Sequence, residues 1–357
     1  MAEFRAVPDA RATLLATLAE NADVARLSPS PFYARLLDGM ADDVRAGGPC
    51  WSLLQPYATE PATEYFPFRA LAGVHYEVLA GERPDLAAHF PSVGGDGDAD
   101  AAWPLVREVL AGRDPELVAE FGHPLQTNET SRCGALIGGF CEVAAATGLP
   151  LRVLELGASA GLNLHFDRYR YEQDGRAFGP PDSPIVFRDY WEGGTPRLDA
   201  PLRVAARAGC DLSPLDPARE ADCLALQSYV WPDEAGRLAD LRAALAIARA
   251  NPVLVDAESA DTWIARQLAT LPEGQATVVY HSVFWTYVPE PVRDRIAAAL
   301  ADASARATEV APLAWLRYDE GADDPRVVEL RLTQWPGGEE RLLGTGRHHA
   351  HPVRWMA

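Results

Sequence analysis

The chain has 357 residues, 48% of them hydrophobic and 23% charged, and a formal net charge of −19. That is the make-up of a folded globule long enough for two domains. The acidic balance excludes double-helical nucleic acid as an expected partner, because holding phosphates needs a basic surface. No run of about 18 apolar residues occurs, so no membrane span is expected. The opening MAEFRAVPDARATLLATLAEN carries acids, lacks a signal-peptide layout and reads as an amphipathic helix. Cys50, Cys133, Cys141, Cys210 and Cys223 are scattered, with no C-x-x-C pair. Reduced thiols and a cytoplasmic location follow as expectations.

Residues 1–147 read as a helical region. Pro29, Pro31, Pro49, Pro56 and Pro61 break its first part into short pieces. In Tyr65–Glu82, Leu71, Val74, Val78 and Leu79 share one helical face. Ser92–Asp100 is a loop by composition. In TNETSRCGALIGGF, Asn128 or Thr130 caps a helix predicted to run to about Thr147. The pattern changes after Gly148. Leu151–Leu156 reads as a buried strand, and a helix of uncertain length is expected from Gly161. An inserted segment, about 167–201, holds a hairpin with its turn at Asp174-Gly175. Val204–Ala208 is a further candidate strand, ending in GCDLSPLD. A helix over Asp233–Ala250 precedes strand Val253–Val255. Helix Thr262–Thr270, strand Thr277–Tyr280 and helix Pro291–Ala305 follow. Strands near Leu313–Arg317 and Val327–Leu332 close the chain before the tail RHHAHPVRW.

Strands alternating with helices over 148–357 predict an α/β domain built on a doubly wound, mainly parallel sheet. Ligands of such sheets lie beyond the carboxyl ends of the strands. That rule selects Glu155–Gly161, Asp211, Asp256 and His281-Ser282. The helical region is expected to close a substrate cavity over those strand ends.

Within LELGASAGLNL, Glu155, Gly157, Ser159 and Gly161 form a strand–turn–helix junction. Glycine tolerates positive φ and lets a ligand approach the backbone, and a helix N-terminus adds unpaired N–H groups. The same glycines also serve an ordinary packed turn. The spacing E-x-G-x-x-x-G is not the dinucleotide fingerprint G-x-G-x-x-G. Asp211 is placed to accept ribose hydroxyls, and serves equally as a turn cap before Ser213-Pro214. Asp256 is placed for an adenine amino group, or as a helix cap. His281 is the first candidate general base and Glu129 the second. A structural histidine is the alternative at 281. Trp285 and Tyr169 are candidates for an aromatic substrate wall. Arg132 suits a carboxylate and Asn128 a polar substrate group, although a capping box explains the same run. His348, His349 and His351 lack acidic or cysteine partners at ligand spacing, so no metal is expected.

The glycine junction resembles the first motif of S-adenosylmethionine (SAM)-dependent methyltransferases, with Ser159 where a middle glycine usually stands. LELGASAGLNL, DRYRY, GCDLSPLD, SYVWPDE, VVYHSVFW and the terminal HPVRW, together with YFPFRALAGVHYEVLAGE and TNETSRCGAL, resemble the bacterial family of domain of unknown function 2332. The resemblance implies a Rossmann-like, class I methyltransferase-like domain behind the helical region. It supplies no established reaction; on the methyltransferase motif the leading reading is an enzyme that takes SAM as cofactor, releases S-adenosylhomocysteine and acts on a small molecule. Glu155, Gly157 and Gly161 carry over from the general motif, and Asp211 and Asp256 follow by strand order. An enzyme that binds SAM or another nucleoside but does not methylate, a nicotinamide-dependent oxidoreductase, and a non-catalytic binding protein on the same fold are the alternatives. The oligomeric state stays open between monomer and homodimer.

Overall fold

The computed structural model describes residues 9–27, 30–59, 65–113 and 128–357. Pro29, Pro61, Thr127 and the first eight residues of the predicted N-terminal helix lie outside them. Contacts divide the chain into two compact units, Met1–Thr127 with Arg219–Ala239, and Asn128–Ala218 with Asp240–Ala357. The division falls at 127/128, not near 147 where the sequence pattern changes.

The first unit is helical: α1 (Ala10–Leu27), α2 (Pro31–Arg45), α3 (Pro49–Leu54), α4 (Phe66–Leu79), α5 (Pro84–Ala87) and α6 (Ala99–Ala111). Its prolines start helices more than they interrupt them. Pro31, Pro49 and Pro67 sit in first turns, where no backbone N–H is required. Ser30 caps α2 by accepting from Tyr33 N, and Asp98 caps α6 by accepting from Ala101 N at 3.0 Å. The core gathers Leu18, Leu36, Leu37, Met40, Val74 and Val106. Segment 219–239 belongs to this unit through particular contacts. Asp233 Oδ2 accepts from Phe32 N at 3.0 Å, and Trp231 stacks on Phe68 at 5.3 Å.

The second unit begins with α7 (Cys133–Thr147) and carries strands β1 (Leu151–Leu156), β2 (Arg170–Gln173), β3 (Arg176–Phe178), β4 (Val186–Arg188), β5 (Trp191–Glu192) and β6 (Val204–Asp211). The connection α8 (Glu220–Ser228) and α9 (Ala235–Ala250) leads to β7 (Val255–Ala257). Then come α10 (Ala260–Gln267), β8 (Ala276–Ser282), α11 (Glu290–Ser304), β9 (Leu313–Glu320), β10 (Val328–Trp335), β11 (Glu339–Gly346) and β12 (Val353–Trp355). One nine-stranded sheet has the order β5-β12-β11-β10-β9-β8-β1-β6-β7. The run β7-β6-β1-β8-β9 is parallel throughout. The meander β9-β10-β11-β12 is antiparallel. The architecture is therefore mixed α/β around a large, mostly parallel sheet.

Strand alternation sends successive side chains to opposite faces. Leu154, Leu156, Cys210, Val279 and Leu313 pack on α10 and α11 through Trp263, Ile264, Ile296 and Leu300. On the other face, Phe140 of α7 meets Phe166 at 4.0 Å and Tyr280 at 5.1 Å. This packing places α7 with the sheet although its sequence reads with the helical region. Three glycines let it approach: a Cβ at Gly134, Gly138 or Gly139 would stand 2.1, 2.3 or 2.2 Å from Tyr190, Trp355 or Leu316. Gly138→Ala is expected to lower stability by about 1–3 kcal/mol, the usual cost of overpacking. That outweighs the gain of up to about 1 kcal/mol for removing a helical glycine. A thermal melt checks the sign.

The helix expected from Gly161 forms only as a short 3-10 one. Leu162–Arg168 is a 3-10 segment kinked at His165 (φ −99°, ψ 15°). Leu162, Asn163, Leu164, His165 and Phe166 are all buried in succession, so the segment has no polar face to offer solvent at the α-helical period. The inserted hairpin is as expected: β2 and β3 are joined at Asp174 (φ 50°) and Gly175 (φ 75°), the positive-φ pair of a tight two-residue turn.

Candidate functional site

Taken in chain order, the parallel strands β1, β6, β7, β8 and β9 lie in the spatial order 3-2-1-4-5. The chain winds outward from β1 to β7, then crosses back to β8. The winding reverses between β1 and β8, and open sheets bind ligands beyond the carboxyl ends at such a reversal. Two segments meet there: the bend leaving β1 and the exit of β8.

The bend has positive φ at Gly157 (70°), Ser159 (52°) and Gly161 (71°). Four of its N–H groups are engaged within the protein. Ala158 N donates to Cys210 O at 2.9 Å, Ser159 N to Asp211 Oδ2 at 2.9 Å and Gly161 N to Ala158 O at 2.7 Å. Leu162 N donates to Asn128 Oδ1 at 3.0 Å. Asp211 Oδ1 also accepts from Ser213 N at 2.9 Å, and Tyr169 OH donates to Leu162 O at 2.7 Å. Asn128, Tyr169 and Asp211, chosen from the sequence for substrate or ribose, all hold the bend in shape. Glu155 is buried beneath it and accepts from Tyr280 OH at 3.0 Å. Burial pushes its carboxyl up to about 8, while hydrogen bonds from Tyr280 and Asn163 act in the opposite direction. At neutral pH Glu155 is a protonated acid that organises the loop.

At the exit of β8, His281 is wholly buried on the α10–α11 side of the sheet. Its Nδ1 stands 2.5 Å from Asp319 Oδ2, close enough for an ion pair but off the line of a hydrogen bond. Its Nε2 has no hydrogen-bond partner among the described residues. The Trp285 ring stacks on the imidazole at 5.0 Å and 11°. Asp319 Oδ1 accepts from Phe284 N at 2.9 Å and Trp285 N at 3.1 Å, fixing the turn that carries both rings. Val283 between them has φ 46°, a costly conformation for a β-branched residue of the kind that clusters at functional sites. The Phe284 ring rests on the bend: a Cβ at Gly157 would lie 2.3 Å from Phe284 Cδ2.

Arg132 is buried and spends its donors on backbone, Nε to His348 O and Nη1 to Ser282 O, each at 3.1 Å. Burial lowers its pKa and the nearby Glu129 opposes that. Glu129 accepts from Ser131 N at 3.2 Å, capping the short 3-10 turn before α7. Asp256 sits further out on β7, accepting from Trp263 Nε1 at 2.7 Å and Arg266 at 3.2 Å. His348 Nε2 is 3.0 Å from Glu320 Oε1, a partner invisible in local spacing. No group of three or more metal-ligating side chains occurs among the described residues. The same residues contain no helix long and apolar enough to cross a membrane.

Asp319, Val283, Phe284 and Tyr280 were not selected from the sequence. The strand-end rule that chose Asp211 and Asp256 finds Asp319 once β9 is extended past Arg317 through LAWLRYDE. Nothing in the sequence announces the backbone of Val283.

No curated protein and no solved structure shows significant similarity to the chain. One family model does match, over residues 16–355, nearly the whole length, and by that match the chain belongs to the bacterial family described as "Uncharacterized protein conserved in bacteria (DUF2332)".

Proposed function

We propose that the β1–β8 reversal binds SAM and that the protein transfers its methyl group to a small molecule, on a class I methyltransferase-like sheet. One observation carries the proposal: three positive-φ residues in five positions, at the reversal of a 3-2-1-4-5 parallel sheet. The four engaged N–H groups of the bend refine it. A pyrophosphate needs a row of free donors, whereas SAM has no phosphate, only a carboxylate, an ammonium and hydroxyls to be held. Bound there, SAM supplies an electrophilic methyl group for in-line displacement. The chain's own part is to position the reactants and exclude water. Phe284 against Gly157 and Trp285 on His281 form aromatic walls suited to a sulfonium. His281 takes the acceptor's proton at Nε2, and Asp319, 2.5 Å from Nδ1, balances the charge the ring then gains. Glu129 is the second candidate base.

Calorimetric titration with S-adenosylhomocysteine tests binding, and formation of that product over a panel of small nucleophiles tests transfer. His281→Ala is expected to leave cofactor affinity unchanged and to lower turnover by about 100-fold or more, the usual scale for a general base. Unchanged turnover removes His281 from the chemistry. Phe284 over Gly157, and the protein partners already held by Asp211 and Asp256, favour a second reading: a module that keeps the sheet and binds no cofactor. Absence of heat with both SAM and S-adenosylhomocysteine supports that reading instead.

A further inference from the structure

We propose that the sheet-bearing unit carries a second ligand site, a pocket for a small oxyanion, carboxylate or phosphate, on the face of β6 and β7. A cavity of about 360 Å3 is lined by His165, Arg168, Arg207 and the turn Asn251–Leu254. That volume falls within the range of small-molecule sites. No acidic side chain lines it, in a protein whose net charge is −19.

The cations differ in role. Arg207 is committed: it donates to both oxygens of Asp167 at 2.7 Å and to Leu164 O at 2.6 Å, so it builds the wall. Arg168 is exposed and has no ion-pair partner among the described residues, which leaves its guanidinium for a ligand. His165 is 1% exposed, yet its Nδ1 has no hydrogen-bond partner among the described residues. A buried polar atom left unpaired costs about 1–3 kcal/mol, which a turn of the ring toward a ligand oxygen at this wall would recover. Burial, then Arg207, hold the His165 pKa down at about 4, so at neutral pH the ring is uncharged and has one N–H to donate. Pro252, Val253 and the 71%-exposed Leu254 add an apolar lip for a short hydrocarbon. The pocket is separate from the β1–β8 reversal. Arg207 pairs in register with Val153 in mid-strand, and Val253-Leu254 precede β7, so the cavity opens away from the carboxyl ends of the strands.

The test is histidine side-chain 1H–15N correlation on the full chain. His165→Gln identifies the signal, and sodium phosphate and sodium acetate are titrated against sodium chloride at matched ionic strength. The expected result is a saturable shift of His165 with phosphate, acetate or both, absent with chloride. Which anion saturates tells a phosphoryl site from a carboxylate site. Arg168→Gln should weaken that affinity by about tenfold or more, the scale of one hydrogen bond to a charged group. As an exposed position it should leave the melting temperature unchanged. Shifts no different from chloride, or equal affinity in folded Arg168→Gln, overturn the proposal.

Discussion

Glu155→Gln is expected to flatten the pH dependence of stability between about pH 4.5 and pH 8, and to stabilise the protein at the alkaline end. In the unfolded chain this carboxyl titrates near 4.5; in the fold, burial holds it near 8. Below pH 4.5 both states are protonated and Glu155 contributes its full stability. As pH rises through the window the unfolded state loses its proton while the folded state keeps it. The folded state then binds more protons, so stability falls with rising pH. The loss is complete above about pH 8, where both states are ionised. At about 1.4 kcal/mol per unit, the window is worth roughly 3–5 kcal/mol. Glutamine is close in shape to the neutral acid and still accepts from Tyr280, so it retains the low-pH contacts and removes the slope. Denaturant unfolding of both proteins at several pH values, compared as differences, cancels the other titrating groups. Parallel pH profiles would show that Glu155 is ionised in the fold.

The sheet was largely legible because its strands are short apolar runs bounded by turn residues. β1 was predicted to its observed bounds, and the Asp174-Gly175 turn was recognised by its residue types. The losses have physical causes. β11, EERLLGTG, carries too much charge to look like a strand, because it lies in the antiparallel meander outside the buried parallel core. The run after Gly161 resembles a helix start in composition, but its unbroken burial forbids an amphipathic helix. The candidate site was legible as a place more than as a set of roles. The strand-end rule found the bend and His281. It could not show that Asn128, Asp211 and Tyr169 spend their polar atoms on the bend, since those bonds join positions 7 to 52 residues apart. Nor could it show Arg132 reaching Ser282 O across 150 residues.

Gly157→Val should abolish binding of S-adenosylhomocysteine and also destabilise the fold. Two costs arise in the free protein. A β-branched side chain must adopt φ 70°, and its Cβ must displace the Phe284 ring that would lie 2.3 Å away. Left-handed strain and overpacking together are worth about 2–4 kcal/mol, measurable by denaturant unfolding. The loss of binding has a separate origin: on the proposed reading the Phe284 ring swings aside for the ligand, whereas a side chain at 157 cannot leave the backbone of the bend. Phe284→Ala in the Gly157→Val background separates the two. Removing the ring relieves the clash and should return part of the stability, yet the side chain at 157 still covers the bend, so binding should stay lost. If the double variant regains binding together with stability, the bend matters only as a packed turn, and the ligand, if any, is recognised elsewhere. If the wild type shows no binding while Gly157→Val is destabilised as expected, Gly157 serves the packing of Phe284 alone, and the non-catalytic reading of the sheet prevails.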